Sequence, residues 1–212
     1  MKKFELTSEF VTFLGKTLFR IKALVSFGDV AEGELGGFIE RENNLDQSGD
    51  AWVYGDAQVC GDARVYGDAR VYGDAQVCGD AQVFGNAWVC GDARVYGDAW
   101  VYGDAQVCGD ARVYGDARVF GDAQVCGDAR VFGNAWVQNC RDYSATSCFG
   151  SENRTTTFFR TKDGGISVRC GCFYGTLREF REKVKERHGD SRLAKEYLML
   201  ADLMEFRLSK DE

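Results

Sequence analysis

From Gly49 to Gln138 the chain runs through one six-residue pattern fifteen times without a gap: Gly-(Asp/Asn)-Ala-x-Val-y. Gly, Ala and Val never vary. Position x is Trp, Gln or Arg, and y is Tyr, Cys or Phe apart from a closing Gln138. Side chains of an extended chain alternate between two faces, so Ala and Val share one face while x and y share the other. The Gly-Asp step predicts a corner, because Gly accepts backbone angles that other residues resist and the Asp carboxylate can bond its own corner's N–H groups. A short strand and a corner every six residues close after three sides. The result is a triangular coil of 18 residues with Ala and Val inside, each strand hydrogen-bonded to the coils above and below. Five such coils at the ~4.8 Å strand spacing form a prism about 24 Å long.

Winding by threes stacks like residues into columns. One face carries Tyr66, Phe84, Tyr102 and Phe120 beside Arg64, Gln82, Trp100, Arg118 and Trp136. A second carries Cys60, Cys78, Tyr96, Tyr114 and Phe132 beside Arg94, Arg112 and Arg130. The third carries Tyr54, Tyr72, Cys90, Cys108 and Cys126 beside Trp52, Arg70, Trp88, Gln106 and Gln124. The corners hold Asp columns, among them Asp56, Asp74, Asp92, Asp110 and Asp128, and Asp62, Asp80, Asp98 and Asp116, broken at Asn86 and Asn134.

The flanks leave the repeat. Residues 1–48 predict a β cap: Phe19, Ile21, Ala23, Val25 and Phe27 alternate in a strand over Thr17–Phe27, and Gly15-Lys16 turns it back on Val11–Leu14. Gly36-Gly37-Phe38-Ile39 opens a degenerate first coil. Such ends are needed because a raw terminal coil exposes apolar core and strand edges. Residues 139–212 predict a small α+β module. Strands over Thr155–Thr161 and Ile166–Tyr174 flank the turn Lys162-Asp163-Gly164-Gly165. The capping box Thr176-Leu177-Arg178-Glu179 starts a helix that runs to about His188. After Gly189-Asp190, a second helix from about Ser191 to Leu208 buries Leu193, Tyr197, Leu200, Ala201 and Met204.

Val53 followed by Ala57, Val59 by Ala63 and Val65 by Ala69 place a small residue four positions after an aliphatic one. In this the stretch 49–138 resembles the hexapeptide-repeat proteins, and the resemblance implies a left-handed parallel β-helix. The run Gly171-Cys172-Phe173-Tyr174-Gly175-Thr176 and its module resemble the tails of uncharacterised repeat proteins from gut bacteria and their phages.

Composition narrows the function classes. The chain is 45% hydrophobic, lacks proline, and has no apolar run long enough for a membrane span. Nine cysteines, an odd number without an export signal, fit reduced thiols in a cytoplasm. The net charge of −7 falls wholly within the repeat, whose 13 Asp and 6 Arg also sum to −7. Many hexapeptide-repeat proteins are acyltransferases with a histidine base, but the one histidine, His188, sits at a predicted helix end, so this stays a second alternative. Cys140, Cys148, Cys170, Cys172 and His188 could supply metal ligands. However, Cys170-x-Cys172, which puts two sulfurs on one side of a strand, lacks the two to four intervening residues of structural zinc sites. No cofactor, metal or catalytic residue is assigned.

Two binding readings remain. The aromatic face, Tyr66, Phe84, Trp100, Tyr102, Phe120 and Trp136, is the candidate protein interface, and through it a homo-oligomer, dimer or trimer. The Asp columns are expected to satisfy their own corners, with Arg offsetting part of the charge. Alternatively, at one carboxylate per ~1.8 Å gross, though one net charge per ~3.4 Å once Arg is counted, they approach the ~1.7 Å charge spacing of duplex DNA and imitate a nucleic acid before a host nucleic-acid-binding protein. Direct nucleic-acid binding is disfavoured by the same field.

Overall fold

The computed structural model describes residues 2–209. Fifteen strands of two or three residues, β4 (Trp52–Val53) to β18 (Trp136–Val137), follow one another, one per six-residue unit. Strands 18 residues apart pair in parallel throughout: Trp52 with Arg70, Arg70 with Trp88, Trp88 with Gln106. Three parallel sheets therefore form the sides of a prism, as the six-residue period requires. Every Ala and Val from Ala51 to Val137 is fully buried inside it. The ladder repeats one arrangement: the x residue donates its N–H to the next coil's Ala carbonyl, and the y residue donates to its Val carbonyl. Arg94 to Ala111 and Tyr96 to Val113, both 2.9 Å, show it.

Glycine is obligatory at the corners for two reasons. The backbone there has positive φ, +76° at Gly79, where a side chain is strained. The corners also stack directly, so a Cβ on Gly79 would lie 2.9 Å from the Gly97 nitrogen.

The N-terminal region closes one end. β1 (Phe4–Phe13) and β2 (Lys16–Ala23) form a hairpin through Leu14-Gly15, and β3 (Leu35–Ile39) follows. β2 is shorter than the predicted strand to Phe27. The chain leaves the sheet after Ala23 and folds into a tight loop in which Phe27 pairs with Val30. β3 joins the solenoid with Ile39 beside Val59 and Leu45 beside Val65, so the degenerate coil carries two extra residues. Phe4, Ile21, Ala23 and Val30 cover its open core.

At the other end β19 (Tyr143–Phe149), β20 (Arg154–Arg160), β21 (Ile166–Cys170) and β22 (Phe173–Thr176) make an antiparallel sheet in chain order, with α1 (Leu177–His188) and α2 (Arg192–Leu208) packed on it. β19 was not predicted. The single strand expected over Ile166–Tyr174 is two strands, folded back at Gly171-Cys172, with Gly171 at φ +58°. The capping box is present: the Glu179 N–H donates to Thr176 Oγ1, and the Thr176 N–H donates to Glu179 at 2.7 Å. α2 buries Ala194, Tyr197, Leu200, Ala201, Met204 and Leu208, while Leu193 is only half-buried.

Two neighbouring residues of β20 join the two cores. Phe158 faces the helices and meets Phe180, whereas Phe159 belongs to the solenoid core beside Phe132. Asp142 locks the junction. Its buried carboxylate accepts the Gln138 and Asn139 N–H groups and pairs with Arg160 at 3.3 Å. Arg160 in turn donates to the Leu208 carbonyl at the end of α2.

Candidate functional site

Parallel in-register stacking puts like side chains one strand spacing apart, so the y residues of the aromatic face become a column of parallel rings. Tyr66–Phe84, Phe84–Tyr102 and Tyr102–Phe120 have centroids 4.8, 4.9 and 5.1 Å apart, with planes within 8° of parallel. Trp100 stands edge-on to Phe84 and Tyr102, and Trp136 edge-on to Phe120 at 5.0 Å. The Arg118 guanidinium lies 3.6 Å over the Trp100 ring, and the Tyr66 hydroxyl donates to Gln82 at 3.0 Å. All six expected interface residues thus come together on one face, in a row. Mutual stacking leaves each of them half-buried.

The other two faces are partly occupied by the chain's own ends. Under the hairpin, Cys60 and Cys78 are buried with Leu18 and Phe38, their Sγ atoms 2.6 Å apart. Hydrogen bonding between them favours the Cys60 thiolate and pushes the Cys78 thiol up. Lower on that face Tyr114 stacks on Phe132, which touches Phe159 and Tyr174 of the C-terminal module. On the third face Trp52, expected outside, is fully buried because Phe4 and Phe27 pack edge-on against it. Tyr54 donates to Asp29 at 2.8 Å, and Arg70 pairs with the same carboxylate. Trp88 is the repeat's one exposed aromatic, 41% accessible. Beside it Cys90, Cys108 and Cys126 stack; burial, reinforced by its neighbours' sulfurs, pushes the Cys108 thiol up to about 12.

The corner columns depart from expectation. Among the described residues no corner carboxylate accepts from its own corner. The corner N–H groups of Asp68, Asp74, Asp80 and Asp104 reach the next coil's glycine carbonyl instead, as in Asp68 to Gly85 at 2.9 Å and Asp104 to Gly121 at 2.8 Å, and the Asp50 N–H donates to the next coil's Asp68 carboxylate at 3.2 Å. Coil stacking takes the donors that an isolated turn would offer its own Asp. The repeat's arginines do not pair with corner carboxylates either: Arg118 lies on Trp100, and Arg70 bonds Asp29. Among the described residues only those of the cap do so, Arg20 with Asp56 at 3.3 Å and Arg41 with Asp62 at 3.2 Å. Even those two carboxylates stay 70% and 74% exposed.

The candidate ligand set is dispersed. Cys170 ends β21 and Cys172 sits in the turn beyond it, so the two do not share one side of a strand. Among the described residues no group of three His, Cys, Asp or Glu side chains is placed to hold a metal ion. His188 stacks on Tyr197 at the end of α1, beside a cavity of about 270 Å³. Met199, Leu203 and Phe206, which the sequence reading passed over, are exposed on α2; their signal was a second apolar stripe at helical spacing.

The family model for the YdcK beta solenoid repeat matches residues 57–73, 63–79, 75–91, 87–103, 105–121 and 123–139, all on the stacked coils. The chain is a β-solenoid repeat protein. No curated protein matches it. No helix among the described residues is long and apolar enough to cross a membrane.

Proposed function

We propose that this β-solenoid is a non-enzymatic protein-binding scaffold, phage or prophage borne, cytoplasmic, and working as a dimer or trimer. The observation that carries the reading is the straight aromatic column from Tyr66 to Phe120 with its Trp100 and Trp136 borders. Among the described residues the C-terminal module touches only the last ring on this face, with Lys162 5.9 Å over Trp136; the column from Tyr66 to Phe120 is left for a partner. Rigid aromatics with two side-chain torsions each lose little entropy on contact and are enriched in interface cores. A photo-crosslinkable phenylalanine analogue in place of Tyr102 is expected to capture a protein partner in the native host. Trp100→Ala with Trp136→Ala should remove the adduct. A folded protein that gives no protein adduct, or the same adduct without the tryptophans, would sink the reading.

A second reading is supported by the corner carboxylates, which do not pair with the repeat's arginines and of which, among the described residues, only Asp68 and Asp104 accept from a neighbouring corner. In it, the columns imitate a polyanion before a host nucleic-acid-binding protein. Replacing Asp56, Asp74, Asp92, Asp110 and Asp128 with Asn leaves the ladder bonds in place and should abolish such inhibition. Unchanged inhibition would end it.

A further inference from the structure

α2 is apolar on two sides. One is buried by Tyr197, Ala201, Met204 and their neighbours. At 3.6 residues per turn, Met199, Leu203 and Phe206 fall opposite that face in a continuous stripe about 10 Å long. They are 71%, 56% and 85% exposed. Helix propensity does not account for them, since Phe is a poorer helix former than the Lys, Glu or Gln that such a position would accept. An exposed apolar stripe of this kind marks a contact.

The charges along the stripe say what covers it. Glu196 and Arg207 lie on the same flank, near its two ends. Two copies of α2 laid antiparallel about a twofold axis near residue 202 bring the same flank of each together. Met199 then faces the partner's Phe206, and Leu203 meets its own counterpart. Glu196 faces the partner's Arg207, twice by symmetry. Both facing pairs are displaced along the axis by one residue, about 1.5 Å. In the single chain Glu196 pairs with Arg192 at 3.3 Å, and Arg207 reaches the Cys140 carbonyl at 3.4 Å. Those contacts are exposed and readily exchanged. On the other flank Asp202 approaches its own counterpart, but Arg181 already holds it at 2.6 Å and Glu205 at 2.7 Å.

We propose that α2 is a homodimerisation element, closed by the Met199–Leu203–Phe206 stripe and a reciprocal Glu196–Arg207 pair. This rests on the oligomeric part of the function proposed above and gives it a location; the aromatic column remains open for another protein. The patch is small beside the ~800 Å² per partner of a standard interface, so association should be weak, with a Kd on the order of 10–100 µM.

Sedimentation velocity of the full chain, from about 1 µM to about 500 µM, tests this. A concentration-dependent dimer is expected, and Leu203→Glu should weaken it at least ~30-fold. Glu196→Arg and Arg207→Glu alone should each weaken it about 5-fold, and the two together should restore it to within about 2-fold. All three sites are on the exposed side of α2, so helical circular dichroism should stay unchanged. A wild type that remains monomeric, a trimer, or a double exchange no better than either single change would overturn the proposal. A dimer indifferent to Leu203→Glu but lost with Trp100→Ala and Trp136→Ala would place self-association on the solenoid face, overturning the role of α2 and leaving the scaffold reading intact.

Discussion

Inside the solenoid's prism each side chain is an Ala or Val whose neighbours are the same residues one coil away, as Val95 sits between Val77 and Val113. In the C-terminal module no two core residues share a setting. Phe158 meets Phe180 edge-on, Phe180 meets Tyr197, and Arg160 ties Asp142 to the end of α2. The first region multiplies one small contact, so its defects are local and its stability is a sum over coils. The second depends on a few large side chains, so the loss of one is felt throughout. Repetition also decides where chemistry can vary: x and y change freely and the corner only between Asp and Asn, and whatever they become is displayed in rows.

The comparison can be broken most directly at Phe158. Phe158→Ala should cost the module about 4 kcal/mol through lost burial and cavity formation. Its helical signal should fall first while hydrogen-exchange protection of the rung amides around Val95 persists. Simultaneous loss of both would mean that the two regions unfold as one. Gly79→Val tests the solenoid's side. Positive φ and the 2.9 Å approach to Gly97 should together cost about 3 kcal/mol. Gly164→Ala, at φ +84° in a module turn with nothing within 4 Å, should cost only about 1 kcal/mol. Equal denaturant midpoints for the two variants would show that coil stacking is not what makes the corner glycines obligatory. Thr176→Ala removes the α1 cap and should cost about 1 kcal/mol, confined to the module transition.

A pH-dependent effect concerns Lys3, buried against the solenoid's entrance, with its ammonium donating to the Gly49 and Ala51 carbonyls at 3.1 and 3.0 Å. Burial lowers its pKa from 10.5 to about 8. Between those values the unfolded chain holds a proton that the folded chain has released, so stability should rise with pH across that window. Lys3→Met should flatten this slope in denaturation curves taken from pH 7 to pH 11. A slope unchanged in the variant would assign the titration elsewhere.

How much could be read in advance follows the same division. The coil length, the three faces and the burial of every Ala and Val come from a period that leaves one solution, and the structure has them all. The aromatic column was legible for the same reason. What failed depended on contacts between segments far apart in sequence. Trp52 has the pattern of an outward residue, and only the arrival of Phe4 and Phe27 buries it. The corner carboxylates were assigned the donors of an isolated turn, whereas stacking gives those donors to the next coil. In the tail, Ile166 to Tyr174 alternates well enough for one strand, and only the antiparallel return at Gly171 makes it two.

The eighteen-residue offset between paired strands makes length an adjustable quantity in this architecture. Excising one whole lap, for instance 67–84, brings the two terminal regions closer by ~4.8 Å and keeps their bearing. Excising a single hexad satisfies every local rule equally well, yet swings the tail a third of the way around the axis. Axial reach and angular bearing could therefore be varied in separate steps by changes in copy number alone, without altering a side chain at either end.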